Sequence, residues 1–410
     1  MFCAGDETGA AGVSFSTHGL HDAQAMRHAD ADQLSLALIA ARNQTLRWLS
    51  LFESAGDVAA PTPHAHFEPA RWLAGHAGWW QERWIARNVQ RSRGAQGDAT
   101  RAPLASIEPD ADRWWDPLAC PPDQRWSLLL PDFEATRAYM VDTLETTLEL
   151  LAAAAADDTS LHHFRAALQA EDALVERFAA LAQAQQLQAA LALVPARVQR
   201  VAREPLCWGA QRWSLGSPLG GYVPANEQWA HDEAVPEFEI DAQAVSWAEY
   251  AEFVEDGGYD DMRWWHADGW AWVQATQRRS PRDVEQLRHG VLLRRFGQLQ
   301  RAPATQAATH VSWYEADAWC RWAGRRLPTE VEWELAAVQG ASRGFAWLDL
   351  AEWTAGRARA WPGGAPVDTA LRVQRGVPWL APARLAHPKA RRFLAVDRDE
   401  GFVGFRSCGL

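Results

Sequence analysis

The segment Leu327-Pro328-Thr329-Glu330-Val331-Glu332-Trp333-Glu334-Leu335-Ala336-Ala337 constrains the fold of this chain more than any other stretch. It puts Thr329 three residues before Glu332, the reciprocal pairing that satisfies free amides at a helix start. The same spacing recurs at Ser312 and Glu315, within Val311-Ser312-Trp313-Tyr314-Glu315-Ala316, and at Ser246 and Glu249. Around these starts the chain reads as turns, tryptophans and short strands, with strands predicted at 212–216 and 238–241 and a helix over 245–254. Capped short helices separated by loops predict an α+β domain of low regularity, its core filled by indole rings.

The first half has a different period. Leu34, Leu38, Ala41, Thr45 and Leu49 recur at helical spacing, with Asp30 or Asp32 as N-cap. A second helix is predicted from about 68 to 91. A third runs from Phe133 to Ala155 behind Pro131-Asp132, and a fourth from Leu161 to about Leu191 behind the capping run Asp157-Asp158-Thr159-Ser160. Segment 92–131, rich in Pro, Asp and Gly, is expected to wrap the bundle as a long structured loop. At 410 residues the chain exceeds one ordinary core. The division expected is a flexible extension over 1–30, a helical bundle over 31–191, a linker over 192–205 and the α+β domain over 206–410.

A net charge of -12 argues against non-specific nucleic-acid binding, which needs dense positive charge. No apolar run reaches the length of a membrane span, and the first residues lack a signal pattern, so a cytoplasmic location is expected. Cys3, Cys120, Cys207, Cys320 and Cys408 are scattered without metal-ligand spacing and read as reduced thiols.

With Ala351-Glu352-Trp353-Thr354 following at the right distance, the C-terminal motifs resemble the formylglycine-generating (sulfatase-modifying-factor) domain, a C-type-lectin-like fold. Trp72-Leu73-Ala74-Gly75-His76-Ala77-Gly78-Trp79-Trp80-Gln81-Glu82 is similar to the first iron-ligand helix of the DinB-like domains fused to that fold. Together they resemble the ergothioneine sulfoxide synthase and selenoneine synthase family, nearest the selenoneine branch. The resemblance implies a two-domain α+β protein, a DinB-like four-helix bundle followed by the lectin-like domain. It also implies an oxygen-dependent, non-haem Fe(II) enzyme that joins sulfur or selenium to hercynine, with a selenosugar or a thiol as donor.

By that resemblance His76 is the first iron ligand. The helix context Arg165-Ala166-Ala167-Leu168-Gln169-Ala170-Glu171-Asp172-Ala173-Leu174-Val175-Glu176 matches the family's second motif, but Ala170 and Leu174 stand at its two other ligand positions. Neither has a donor atom. His163 and Glu171 are the alternative metal ligands nearest in sequence. For substrate binding the resemblance points to Asn226, Trp229 and His231, in Tyr222-Val223-Pro224-Ala225-Asn226-Glu227-Gln228-Trp229-Ala230-His231, and to Arg406 in the terminal strand. Copper-binding cysteines of true formylglycine-generating enzymes have no counterpart between Arg375 and Arg392, and no tyrosine follows Tyr314. No catalytic residue is assigned. The alternative expectation is a pseudoenzyme that keeps the fold as a small-molecule or protein-binding module.

Overall fold

The structure, a computed structural model, describes residues 17–56, 66–98, 100–189, 192–197 and 201–410. A short helix α1 (Ala23–Arg27), started by Asp22, leads into α2 (Ala31–Ala55). Of the two aspartates, Asp30 is the N-cap of α2, in a capping box with Gln33. α3 (Ala70–Gln81) continues through a wider π turn over Glu82–Ala86, ending before the predicted residue 91. After α4 (Ala111–Trp115) come α5 (Phe133–Ala152) and α6 (Asp158–Ala184), capped by Asp132 and Asp157 as their sequences direct. Helices α2, α3, α5 and α6 form the bundle.

Segment 92–131 does wrap this bundle, and it also contributes to its core. α4 inserts Trp115, fully buried, against Tyr139, with ring centroids 4.7 Å apart. Buried Glu82 ties the segment down by accepting from Ser106 Oγ, the Ile107 amide and Tyr139 Oη, each at 2.7 Å. Across the bundle's centre Arg42 pairs with Glu171, both side chains 1 % exposed, and Gln81 donates to the same carboxylate. A buried carboxylate needs this many donors to stay charged.

From Leu206 the chain builds small sheets. β1 (Leu206–Trp208) pairs with β4 (Phe238–Ile240), and β2 (Gln211–Leu215) with β3 (His231–Val235), both antiparallel. α7 (Trp247–Glu255) and α8 (Ala267–Thr276) precede a meander of β5 (Val284–Gln286), β6 (Val291–Arg295) and β7 (Gln298–Ala302). α9 (Trp313–Trp322) and α10 (Glu330–Gln339) follow, and all three expected capping boxes, on α7, α9 and α10, are formed. The last sheet has the order β10-β9-β8-β11, from β8 (Ala351–Arg357), β9 (Arg372–Arg375), β10 (Arg391–Leu394) and β11 (Val403–Phe405). Trp247 on α7, Trp333 on α10 and Trp353 on β8 are fully buried in the α+β part, as the indole-rich composition predicts.

Within the flexible extension expected over 1–30, the chain instead forms α1 over Ala23–Arg27. Residues 1–16 lie outside the described residues, but Arg27 is buried, pairing with Glu227 at 2.6 Å and donating to Ser217 Oγ at 2.9 Å. The expected linker includes residues 198–200, also outside the described residues. Bundle and α+β part share a core: Phe296, Leu380 and Phe402 belong to one apolar cluster with Trp72, Leu174 and Phe178. Among the described residues no helix is long and apolar enough to cross a membrane.

Candidate functional site

One face of α6 carries Gln169, Ala173, Glu176 and Ala180 at helical spacing, and these residues line a cavity of about 690 Å³ between the bundle and the α+β part. The segment before α3 adds His66, Phe67 and Glu68, and the opposite wall is β9–β10 with the chain before β11: Gln374, Arg391, Arg392, Phe393, Arg398, Glu400 and Phe402. Such a cleft between domains is the usual place for a small-molecule site.

Ion pairs join its walls. One is between Arg392 on β10 and Glu176 on α6, and beside it His66 Nδ1 makes a polar contact of 2.7 Å with Glu400. Glu68 is shared by Arg125, at 2.8 Å, and Arg177. Arg391 stacks 3.8 Å over the Trp361 ring centroid and pairs with Glu330 at 3.1 Å. Burial pulls the Arg391 pKa down to about 10, against the field of Glu330. Guanidinium and carboxylate groups therefore both face the cavity, a lining suited to a zwitterion rather than to a purely apolar ligand.

The residues expected at a site are only partly brought together. Asn226 lines the cavity, its side-chain amide donating to the Arg391 carbonyl and its own carbonyl accepting from Arg391 Nη1 at 3.2 Å. Trp229 and His231 do not line it. The Trp229 ring packs where a side chain on Gly363 would meet it at 2.4 Å, and His231 lies edge-on to Trp361 at 5.2 Å with Nδ1 donating to the Trp229 carbonyl at 3.0 Å. Arg406 is fully buried elsewhere. It forms a two-point pair with Glu352 at 2.5 and 2.7 Å and donates to the Asp241 and Ala346 carbonyls at 2.9 and 2.7 Å. Its donors are committed to holding the terminal strand, so it is a core brace and not a clamp for substrate.

His76 is not among the residues that line the cavity, although Leu73, one turn earlier on α3, is. Its ring lies between Trp72 and Trp79, with centroids at 4.8 and 5.6 Å, and burial takes its pKa down to about 4. Nδ1 donates to the Trp115 carbonyl at 2.9 Å, because a carbonyl can only accept. The tautomer so fixed leaves Nε2 as the lone-pair nitrogen, the arrangement of metal-binding histidines. The rest of a donor set is missing. Leu174 is buried in the bundle core with Trp72 and Ala77, and Ala170 is half-buried. Glu171, a proposed alternative ligand, is held by Arg42 and Gln81. His163, the other, stacks on Trp84 at 5.8 Å beside a separate cavity lined by Arg87, Gly94 and Pro103. Among the described residues no three His, Cys, Asp or Glu side chains gather in a way that could hold a metal ion. The residues present do not fit iron.

Sequence reasoning missed the lining itself. It followed the stripe 163, 167, 170 and 174, whereas the stripe through 169, 173, 176 and 180 faces the second domain. The charges at Glu176 and Arg177, set among alanines, were the available signal. Arg391, Arg392 and Arg398 could not be distinguished from other surface arginines before the strands were placed.

Comparisons with known proteins agree with this architecture. The family model described as "Sulfatase-modifying factor enzyme 1-like domain" matches residues 213–361. The chain is 28% identical over 443 residues to a hercynine oxygenase of Mycolicibacterium smegmatis, covering 92% of this chain and 97% of the relative. A hercynine oxygenase of Mycobacterium tuberculosis is likewise 28% identical, over 92% of this chain and 98% of its own. A formylglycine-generating enzyme of Streptomyces coelicolor is 33% identical over 205 residues, 43% of this chain and 61% of that one. Similarity to the oxygenases thus spans both the helical part and the α+β part, and it fits the ergothioneine sulfoxide synthase-type family that carries a formylglycine-generating-enzyme domain.

Proposed function

We propose that this protein binds hercynine, or a closely related imidazole betaine, in the interdomain cleft without carrying the family's iron-dependent oxidation. One observation carries the reading: a charged cavity is present while Ala170 and Leu174, at the positions that the resemblance assigns to the other two iron ligands, have no donor atom. Hercynine offers a carboxylate, a quaternary ammonium and an imidazole. Arg391 and Arg392 suit the carboxylate, Glu68 or Glu176 with the faces of Phe67, Phe393 and Phe402 suit the ammonium, and Asn226 and Gln374 suit the ring nitrogens. Similarity to hercynine oxygenases over nearly the whole chain supports the ligand class. In the family's reaction ferrous iron would activate oxygen and hold the sulfur or selenium donor; the donor set here does not fit that metal.

A second reading, an active synthase of the selenoneine type, is favoured only by the His76 tautomer, which leaves Nε2 free. Calorimetry with hercynine and metal analysis after anaerobic exposure to Fe(II) separate the two. The first reading expects saturable hercynine binding, no stoichiometric iron and no oxygen consumption. About one iron per chain with hercynine-dependent oxygen uptake overturns it in favour of the second, and the absence of hercynine binding overturns both.

A further inference from the structure

A second cavity, of about 280 Å³, lies away from the cleft, between the segment Val194–Arg197 and the β6–β7 hairpin. Arg197, Arg295, Arg301, Gln298, Gln300 and Gln306 supply its polar groups, and Trp379 its aromatic one. We propose that this cavity is a binding site for a small doubly charged oxyanion of the phosphate type, free or as the phosphate group of a metabolite.

The argument rests on cations left without enough partners. The Arg197 side chain is 1% exposed, and its Nε and Nη2 pair with Asp349 at 3.0 and 2.8 Å, yet its Nη1 is buried with no hydrogen-bond partner. Arg295 makes a single long hydrogen bond, from Nη2 to Gln306 Oε1 at 3.4 Å, and no carboxylate of the described residues lies within ion-pair distance of it. Both guanidiniums lie against the same indole, 5.0 and 5.7 Å from the Trp379 centroid. Burial and the neighbouring Arg197 pull the Arg295 pKa down to about 10, so it still carries its charge at neutral pH.

Two guanidiniums brought together in a partly dry cavity repel each other and lose hydration, a cost that an anion between them removes. Three lining arginines against the one aspartate leave two positive charges, which selects a dianion over a monoanion. The planar donor fork of arginine matches a phosphate or sulfate face, while the glutamines can hold the remaining oxygens. The site shares a wall with the cleft, since Trp379 meets Phe402 edge-on at 5.1 Å and Phe402 lines the first cavity.

Calorimetry of the full chain with inorganic phosphate, against acetate and chloride at matched ionic strength, tests the proposal. Saturable one-site phosphate binding, weaker for acetate, is expected. Arg295→Gln should weaken it at least about tenfold, equivalent to about 1.4 kcal/mol, and Arg295→Lys by less. An unchanged melting temperature without phosphate shows that each variant is folded. Should Arg295→Gln fail to fold, selenate located in crystals of the unaltered protein by its anomalous signal replaces it: selenate against Arg295 supports the site, and selenate only elsewhere overturns it. Phosphate binding no different from chloride, or equal in the natural protein and a folded Arg295→Gln variant, overturns it too.

Discussion

At the scale of single residues, Gly75 shows how little room the bundle leaves. A Cβ on Gly75 would sit 2.1 Å from the Trp115 ring, so the glycine one residue before His76 is what allows Trp115 to enter the core and its carbonyl to receive the His76 proton. Gly75→Ala should therefore displace Trp115 and destabilise the protein by about 1–3 kcal/mol, the usual cost of overpacking, read from urea unfolding. His387 gives a pH dependence of known sign. Its Nε2 donates to Gln24 Oε1 at 2.9 Å and its Nδ1 accepts from the Lys389 amide at 3.2 Å, so only the neutral ring satisfies both contacts. Burial, with Arg27, Lys389 and Arg375 nearby, holds its pKa down to about 3. The unfolded chain takes up this proton near pH 6.5 and the folded chain does not. Stability is then fully present above that pH and is lost as pH falls toward 3, by up to about 1.4 kcal/mol per pH unit from this residue. Melting curves between pH 7.5 and 4.5 should fall less steeply for His387→Gln than for the natural protein.

At the scale of elements, α6 decides what the site can be. Its three faces do separate work: Glu171 holds Arg42 inside the bundle, Leu174 fills the core beside Trp72, and Gln169, Ala173 and Glu176 face the second domain. Ala170→His with Leu174→His would create the i, i+4 pair that a metal-binding helix presents on one side, with His76 Nε2 proposed as the third donor. This double variant should bind about one Fe(II) under nitrogen, against none for the natural protein, by calorimetry and metal analysis. Its apo form should be less stable, by about 1–3 kcal/mol for each imidazole left unpaired. Equal, negligible iron binding would show that the space beside His76 has closed around Leu174. The helices themselves were readable from apolar spacing and caps: Asp132, Asp157, Ser246, Ser312 and Thr329 start the helices that their sequences announce. The early end of α3 was not, because a π turn depends on Glu82 being held by Ser106, Ile107 and Tyr139, far along the chain.

For the whole molecule, the cleft exists because the two parts are fastened around it. Asp172 on α6 is buried against Arg384, with one contact at 2.6 Å, and Gln183 at the end of the same helix donates to Asp283 at 2.8 Å and accepts from the Phe296 amide at 2.8 Å. Arg384→Ala would leave a buried carboxylate without its cation, which costs about 3–5 kcal/mol. It should lower the melting temperature, and it should raise hydrogen exchange in α6 near Asp172 before the far side of the bundle is affected. Exchange rising uniformly across both parts would instead mark them as one cooperative unit.

The sequence by itself determined the helix starts and the change from a helical part to an α+β part, and it puts at 170 and 174 an alanine and a leucine, which have no donor atom. Caps, periodicity and residue chemistry are local, and they act before the chain is packed. Only the tertiary structure decided which face of α6 borders the cleft, that Arg406 is spent on Glu352 while Arg391 and Arg392 face the cavity, and that Arg197 and Arg295 meet at Trp379. These outcomes depend on pairs far apart in the chain, more than fifty residues for Arg406 and Glu352, or on a helix rotation of one position. An arginine reads the same in sequence whether its partner is a buried glutamate, an indole or an empty cavity.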